Sequence, residues 1–449
     1  MAVVFVLVAV GVLALLAAVH RYVWRRLVGD TTMPGSAMRR AGTAAAFVLP
    51  LLSVGALVSG RAGFPFRLQQ LLAWPGYLWL AALLYLTLAL LVGEAVRPLL
   101  RRVLARRDGP AEAGAHPRTG AMALSGAPAD PSTSSADSPS TSSTSSTSST
   151  PDAPPAPDDR AADTAPAAPP AAAAGPSRRL FVARAVGGAA AVAGLGTVGY
   201  GTHGVLRGPR TKRITVPLAR LPRSAHGFRI AVVSDVHLGP ILGRAHTRRI
   251  VDAVNATRPD LIAVVGDLVD GSVEDLGTAA EPLAGLEARH GSFFVTGNHE
   301  YFSGAAQWVD HVRELGLHPL ENARVEIDGF DLAGVNDVAG ESEGQGPDFV
   351  RALGDRDRSR AAVLLAHQPV VIHDAVEHGV DLQLSGHTHG GQLWPGGLIA
   401  GLANPTVAGL ERYGDTQLYV SRGAGAWGPP VRVGAPSDIT VVELASRQA

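Results

Sequence analysis

Three long stretches without a charged side chain constrain this chain more than any other feature. They run from Ala2 to Val19, from Ala41 to Gly60 and from Leu71 to Gly93. Each approaches the roughly 20 residues that a helix needs to cross a bilayer, and helices of soluble proteins rarely lack charge for so long. The sequence therefore predicts a membrane region over residues 1–108 with three transmembrane helices. Buried core helices are the alternative. A cleaved signal peptide is a further alternative for the first stretch, which lacks a charged segment before it and a clear cleavage site.

The arginines between these stretches predict their orientation. The loop after the first stretch carries Arg21, Arg25, Arg26, Arg39 and Arg40, whereas the loop after the second carries Arg61 and Arg67. Five more follow the third stretch, namely Arg97, Arg101, Arg102, Arg106 and Arg107. Because cytoplasmic loops are enriched in basic residues, the N-terminus is expected outside the membrane and the chain from Arg97 onward in the cytoplasm.

Residues 109–176 have the composition of a linker. Ala, Pro, Ser, Thr and Asp dominate there, and Ser132–Thr150 is mostly Ser and Thr. Such a segment buries too little apolar surface to offset its loss of conformational entropy. A disordered tether is therefore predicted, and a phosphorylated regulatory tail is the alternative.

A fourth apolar segment is predicted over residues 177–206. Ala185–Leu206 is uncharged and rich in Gly and Ala, and the preceding Ser177–Val182 resembles a twin-arginine export signal. Ordinary basic residues flanking a span are the alternative. Both interpretations predict a multi-pass protein of the cell membrane whose chain after about Arg207 is extracytoplasmic. A surface helix that leaves the C-terminal half in the cytoplasm is a further alternative.

The C-terminal half, residues 214–445, alternates short apolar runs with amphipathic segments. Strands are predicted at Phe228–Val233, Leu261–Val265, Ser292–Val295, Ala361–Leu365 and Asp381–Leu384. Helical spacing occurs over Thr247–Asn255 and Ala305–Leu315. This alternation predicts an α/β domain with central β-sheets, long enough to hold a sizeable core.

Each of the five predicted strands is followed by residues of the kinds that bind metals. In chain order these are Asp235 and His237, then Asp267 and Asp270, then Asn298 and His299, then His367, and finally His387 and His389. Open α/β sheets place their sites at the carboxyl ends of strands. Each cluster alone is weak, but five in succession are hard to explain by packing and indicate one metal site.

Composition excludes several other chemistries. The chain has no cysteine, so it has no disulfide, no thiolate metal site and no cysteine nucleophile. Basic and acidic residues balance at 39 each, which argues against a generally basic nucleic-acid binder. Oxygen and nitrogen donors without thiolate suit manganese, iron or zinc better than calcium. No nucleic acid and no obligate protein partner are therefore expected.

The series Asp-x-His, Gly-Asp-x-x-Asp, Gly-Asn-His-Glu, His and Gly-His-x-His resembles the calcineurin-like metallophosphoesterases, over roughly residues 225–445. The versions Ser234–Gly239 and Gly386–Gln392 are most similar to the membrane-anchored bacterial branch of that family. The resemblance implies a four-layer α+β sandwich in which central sheets are flanked by helices.

The resemblance also implies a role for each residue of the predicted site. Two divalent metal ions are expected, with manganese favoured and iron or zinc as alternatives. Asp267 would bridge both ions, and His299 would protonate or stabilise the leaving oxygen while Asp270 orients it. The first ion would be held by Asp235, His237 and His389, and the second by Asn298, His367 and His387.

The implied function is metal-dependent hydrolysis of a phosphomonoester, phosphodiester or pyrophosphate by a hydroxide that the two ions activate. The position near a bilayer suggests a lipid-linked substrate, and a soluble phosphorylated small molecule is the alternative. The alternative outside the enzymes is a non-catalytic metal-binding sensor or scaffold. A cytoplasmic enzyme on a three-span anchor is the remaining alternative.

Overall fold

Each predicted membrane stretch is helical, and each helix extends beyond the uncharged run. The four helices are α1 (Ala2–Trp24), α2 (Ala37–Ser59), α3 (Phe66–Arg107) and α4 (Arg178–Leu206). All four are long and apolar enough to cross a membrane. The structure, a computed structural model, describes residues 2–107 and 178–447, so the predicted linker at 109–176 lies outside the described residues.

The outer surfaces of these helices are apolar. Leu13, Phe47 and Leu71 are 66%, 70% and 71% exposed, and many neighbouring Leu and Val side chains are similarly exposed. Contiguous apolar surface of this kind is rare on soluble proteins. In a bilayer it contacts lipid tails, which are equally apolar.

Small residues allow the helices to pack closely. A Cβ atom on Gly76 of α3 would collide with the Ala56 side chain of α2, and one on Gly194 of α4 would lie 3.0 Å from the backbone nitrogen of Leu86. Close backbone approach at small residues is typical of helices that associate within membranes. The fourth apolar segment therefore packs against the third as a member of the same bundle.

The two ends of α4 contact different parts of the protein. Near its start, Arg184 donates a hydrogen bond to the carbonyl of Thr31, in the connection between α1 and α2. Near its end, Gly201 lies against Val431 and Arg432 of the C-terminal half. The α1–α2 connection and the C-terminal domain therefore lie at opposite ends of the bundle.

The C-terminal half contains two six-stranded sheets. The first has the strand order β1-β12-β2-β3-β4-β5 and the second the order β10-β11-β9-β8-β7-β6. The strands are β1 (Arg210–Leu218), β2 (Phe228–Val233), β3 (Leu261–Val265), β4 (Ser292–Val295), β5 (His318–Pro319), β6 (Ala323–Ile327), β7 (Phe330–Gly334), β8 (Ala361–Leu365), β9 (Leu382–Ser385), β10 (Gly409–Tyr413), β11 (Thr416–Val420) and β12 (Asp438–Ser446).

Helices cover the outer faces of both sheets. The helices of this half are α5 (Arg244–Ala256), α6 (Val273–Ala280), α7 (Asn298–Ser303), α8 (Ala305–Glu314), α9 (Phe349–Leu353), α10 (Ile372–Glu377) and α11 (Gly396–Ala403). α5, α6 and α8 pack on the first sheet and α9 and α10 on the second, whereas no residue of α11 is buried. One apolar core, including Ile230, Leu332 and Leu384, lies between the sheets. Two further cores lie between each sheet and its helices, around Trp308 and around Ile372. The predicted four-layer α+β sandwich is confirmed.

Strand direction brings the polar clusters together. β2, β3 and β4 are neighbouring parallel strands of the first sheet, and β8 and β9 are parallel neighbours in the second. The carboxyl ends of parallel neighbours lie at one edge of a sheet. The five loops with candidate metal-binding residues start at these ends.

The membrane helices and the C-terminal domain share one apolar cluster. Leu393 and Val433 pack against a group that includes Leu86 of α3 and Val198 of α4. The hydroxyl of Tyr85 in α3 also donates a hydrogen bond to the carbonyl of Trp394, at 3.1 Å. The helices before Arg101 and the chain from Arg178 onward accordingly form one compact unit.

Candidate metal centre

All nine residues of the predicted site converge in the structure. Three groups have side-chain donor atoms within 4.8 Å of one another. They are Asp235 with His237 and His389, Asp267 with His367 and His387, and His237 with Asp270 and His299. The first group has the same members as the first ligand set that the family resemblance implies. The second group shares His367 and His387 with the second implied set and contains Asp267, the expected bridging residue, while Asn298 lies 3.0 Å from His387. The assignment of each residue to an ion stays a prediction.

The backbone at this site is strained. Eight non-glycine residues of the described chain have a positive φ, and five of them are Asp235, His237, Asp267, His387 and His389, with φ between 49° and 72°. Left-handed backbone is uncommon for residues with a side chain, and such strain concentrates at functional sites. The fold therefore holds these five side chains in positions that the local backbone disfavours.

Two glycines leave room for the carboxylates. A Cβ atom on Gly386 would collide with the hydroxyl of Ser234 and the carboxylate of Asp235, and one on Gly297 would collide with the carboxylate of Asp267. The backbone thus approaches the acidic groups as closely as possible. This explains why glycine precedes both His387 and Asn298.

Donor atoms of the first set lie at distances that suit a shared ion. Nε2 of His389 is 2.9 Å from Nε2 of His237 and 3.3 Å from Oδ1 of Asp235. Two ligands about 2.1 Å from an ion at right angles to each other are about 3 Å apart. The spacing therefore fits one transition-metal ion without rearrangement of these side chains.

Donor atoms of the second set are similarly close to one another and to the bridging Asp267. Nδ1 of His387 is 3.0 Å from Oδ1 of Asn298, and Nε2 of His367 is 3.1 Å from Oδ2 of Asp267. His367 donates from Nδ1 to the carbonyl of Val265 at 2.9 Å, which leaves the lone pair of Nε2 facing the site. Apart from the Asp267 carboxylate, that buried Nε2 has no polar partner among the described residues. An atom in this state suits a metal ligand.

Asp267 lies between the two sets. Its Oδ2 atom is 3.1 Å from Nε2 of His367 and 3.7 Å from Nε2 of His237, while its Oδ1 accepts a hydrogen bond from the backbone amide of His299. Burial raises the pKa of a carboxyl, but His367 and His237 hold the pKa of Asp267 below its usual range. An ionised carboxylate between two ligand sets is what a bridging ligand requires.

Two histidines of the site, His387 and His389, have pKa values below the usual range. Burial and the nearby His367 lower the pKa of His387 to about 4. Burial, His237 and Arg432 hold the pKa of His389 well below its usual value. Both rings are therefore neutral at pH 7, and a neutral imidazole is the form that binds a metal. The donor set fits divalent metal ions.

Asp270 connects two histidines. Its Oδ1 accepts hydrogen bonds from Nδ1 of His299 at 2.6 Å and from Nδ1 of His237 at 3.0 Å. Burial alone would raise the pKa of Asp270, but the two imidazoles lower it to about 2. The carboxylate therefore fixes which nitrogen of each ring carries a proton, and His299 keeps Nε2 free.

Two supporting residues were not assigned a role from the sequence. Glu300 is fully buried and accepts hydrogen bonds from the backbone amides of Asp267, Leu268 and Gly297, so it joins two of the site loops. Its position in the Gly-Asn-His-Glu motif could have revealed it. Arg432 donates to the carbonyls of His389 and Gly425, and no motif surrounds it.

A cavity of about 580 Å³ opens beside the site. His237, Asp270 and His299 line one wall, and the connection between α2 and α3 lines another, with Arg61 and Phe64. His299 also contacts Trp427, with ring centres 5.7 Å apart. The membrane helices therefore contribute to the cavity that the candidate metal centre faces.

Comparison with known proteins identifies the family. Residues 228–391 match the model of the calcineurin-like phosphoesterases. A "Transmembrane protein with metallophosphoesterase domain" from Danio rerio is 37% identical over 259 residues, covering 55% of this chain and 59% of the relative. An "Uncharacterized metallophosphoesterase" from Helicobacter pylori (strain J99) is 38% identical over 256 residues, covering 56% of this chain and 68% of the relative.

The chain belongs to the calcineurin-like metallophosphoesterase family. It spans 59% of the length of the Danio rerio relative, and that animal sequence shows that similar proteins occur beyond bacteria. Among solved structures, a dimetal phosphatase from Danio rerio matches with a TM-score of 0.36 at 14% identity, covering 49% of this chain and 93% of that one.

Proposed function

We propose that this protein hydrolyses a phosphate ester or anhydride at a membrane surface, using two divalent metal ions. The observation that carries the proposal is the convergence of seven donor side chains in two sets, with Asp267 between them. Manganese is the favoured metal, with iron or zinc as alternatives, because the donors are oxygen and nitrogen. When bound, such ions neutralise phosphoryl oxygens and lower the pKa of a water nucleophile.

His299 is proposed to act on the leaving group. Its Nδ1 donates to Asp270, so Nε2 is the ring nitrogen available to a substrate in the cavity. A proton held there stabilises the oxygen on which negative charge develops as the ester bond breaks. Asp270 positions the ring, and Trp427 and Phe302 restrict its movement by contacting its faces and edges.

The proposed location is the cell membrane, with the catalytic domain on the extracytoplasmic side. The support is the arginine distribution, which favours an α2–α3 connection on the outer side of the membrane. That connection lines the same cavity as His299, so both belong to the same side of the bundle. A lipid-linked phosphate is the proposed substrate, because part of the cavity wall comes from membrane helices.

The test is metal-dependent turnover by the full-length protein in nanodiscs. We expect chelation to abolish hydrolysis of a generic aryl phosphodiester and Mn²⁺ to restore it, with about two ions bound per chain. Asp267→Asn is expected to lose turnover and to lower metal content, since both sets share this carboxylate. A lipid extract screened for phosphate release would then identify the substrate class.

The rival function is a metal-binding sensor or scaffold. It predicts a folded protein that binds metal yet shows no turnover with manganese, iron or zinc on any phosphate ester tested. That result would overturn the proposed hydrolase. The circular dichroism spectrum of the same sample serves as the folding control.

A further inference from the structure

A short helix beside the metal centre is apolar and exposed. α11 has the sequence Gly-Gly-Leu-Ile-Ala-Gly-Leu-Ala, and none of its residues is buried. Leu398, Ile399 and Leu402 are 75%, 71% and 88% exposed. Removing one such side chain from water favours the buried state by roughly tenfold or more. Exposure of three of them to water on one helix would therefore be costly.

The segment before α11 is attached to the third long helix. Trp394, two residues before the helix, accepts its hydrogen bond from Tyr85. Tyr85 lies well inside the uncharged run of α3 that extends from Leu71 to Gly93. Leu393 packs in the same cluster as Leu86. The segment that leads into α11 thus contacts the third membrane helix within its apolar run.

We infer that α11 inserts into the lipid of the bilayer that the four long helices cross. The inference rests on two observations: the helix has no charged residue, and its attachment point lies on α3 within the uncharged run Leu71–Gly93. Interfacial helices bury their apolar side chains about 5–10 Å into the boundary between headgroups and acyl chains. Leu398, Ile399 and Leu402 are the side chains that enter lipid.

Insertion of α11 also bears on the metal centre. His387 and His389 immediately precede the loop that ends at α11, and a Cβ atom on Gly391 in that loop would collide with the backbone of Gly397. The two candidate ligands are therefore joined to the lipid-inserted helix by a tightly packed connection. Lipid holds the cavity at the membrane surface, where a phosphate group whose lipid part stays in the bilayer reaches it. This substrate class rests on the proposed phosphoesterase function.

Fluorescence of single-cysteine variants tests the insertion without any catalytic assay. The chain contains no cysteine, so Leu402→Cys and Ile399→Cys each introduce one unique labelling site. The matched control is Val350→Cys, since Val350 is an apolar residue that is 71% exposed on α9, away from the α11 loop. Each full-length variant carries an NBD fluorophore and is reconstituted in nanodiscs with or without nitroxide-labelled phospholipid.

At positions 399 and 402, we expect blue-shifted NBD emission that is quenched by phospholipid carrying its nitroxide near the headgroup end of the acyl chain. At position 350, we expect the emission wavelength of NBD in water and no quenching. Water-like emission at 399 and 402 would overturn the inference. A blue shift without quenching by nitroxide lipid would also overturn it, in favour of a protein or a second copy of the chain as the occupant. Circular dichroism confirms that each variant is folded.

A second measurement addresses substrate class. Leu398→Asn with Leu402→Asn is expected to lower turnover of a phosphodiester embedded in vesicles by about a hundredfold, since burial of each leucine is worth about tenfold or more. Turnover of a soluble aryl phosphodiester should stay unchanged, because neither leucine lines the cavity. Equal loss on both substrates would contradict selection of lipid-linked phosphate. No turnover by the parent protein on either substrate would reject the phosphoesterase function and leave the fluorescence result intact.

Discussion

At the scale of single residues, His299 and Asp270 are the pair proposed to take part in catalysis without binding either metal ion. His299 is outside both proposed ligand sets, yet it lines the cavity and donates to Asp270. We expect His299→Ala to lower kcat by about 10²–10⁴-fold, the usual contribution of a general acid, with metal content unchanged by elemental analysis. His373→Ala, an exposed histidine on α10, is the control. Full turnover by His299→Ala would remove its proposed role.

A second residue-level prediction concerns pH. His246 is buried in α5, and neither ring nitrogen has a hydrogen-bond partner among the residues that the structure describes. Burial, with Arg249 and Arg432 nearby, lowers the pKa of His246 to about 4. As pH falls below about 6.5, the unfolded chain gains a proton that the folded protein excludes. Stability therefore falls as pH decreases toward 4.

The expected loss is about 2 kcal/mol between pH 7 and pH 5. His246→Leu should remove this part of the pH dependence, since leucine has a similar volume and does not titrate. Melting temperatures of both proteins, recorded at several pH values in the same nanodiscs, provide the measurement. If the melting temperatures of the two proteins fell equally as pH decreased, titration of His246 would not be the cause.

Site residues that belong to sequence motifs could be identified from the sequence, whereas the residues that hold them in position were harder to identify. Asp235, His237 and His389 were identified because their spacing after predicted strands is chemically informative. Arg432 was not, since it lies between two valines and acts by donating to backbone carbonyls that only the fold brings near. The positive φ of five candidate ligand residues was likewise not predictable, because tertiary contacts impose that backbone conformation.

At the scale of elements, α4 depends on small residues to pack against α3. A side chain at Gly194 would press on the Leu86 backbone, whereas nothing lies within 4 Å of a Cβ atom on Gly196. We expect Gly194→Val to destabilise the protein by about 1–3 kcal/mol, the usual cost of overpacking. Gly196→Val, in the same helix, is the matched control. Thermal melts in detergent should show a lower melting temperature for Gly194→Val alone.

Strands were easier to predict than the ends of helices. Phe228–Val233, Leu261–Val265 and Ala361–Leu365 have the predicted bounds, because a buried apolar run ends where a turn or polar loop begins. α3 extends well past its uncharged run on both sides, since arginines continue a helix once it leaves lipid. α11 was not predicted, because eight apolar residues are too few to indicate a membrane element.

At the scale of the whole molecule, the α1–α2 and α2–α3 connections lie at opposite ends of the helix bundle. Arg184 pairs with the α1–α2 connection, and the α2–α3 connection shares the cavity with His299. In intact cells, we expect a membrane-impermeant maleimide to label Ala62→Cys and Val350→Cys. Met33→Cys, 68% exposed in the α1–α2 connection, should react only after lysis. Labelling at position 62 with protection at 350 would indicate a cytoplasmic catalytic domain on three spans.

The pairing of β12 has a consequence for synthesis. β1 and β2 each pair with β12, and the register joins Ile230 to Val442. While a ribosome is still elongating the chain, β1 has no neighbour in its sheet and β2 lacks one of its two. Contacts so distant in sequence form slowly. The domain therefore completes its first sheet only after translation has passed Ser446, and until then two strand edges are available to chaperones.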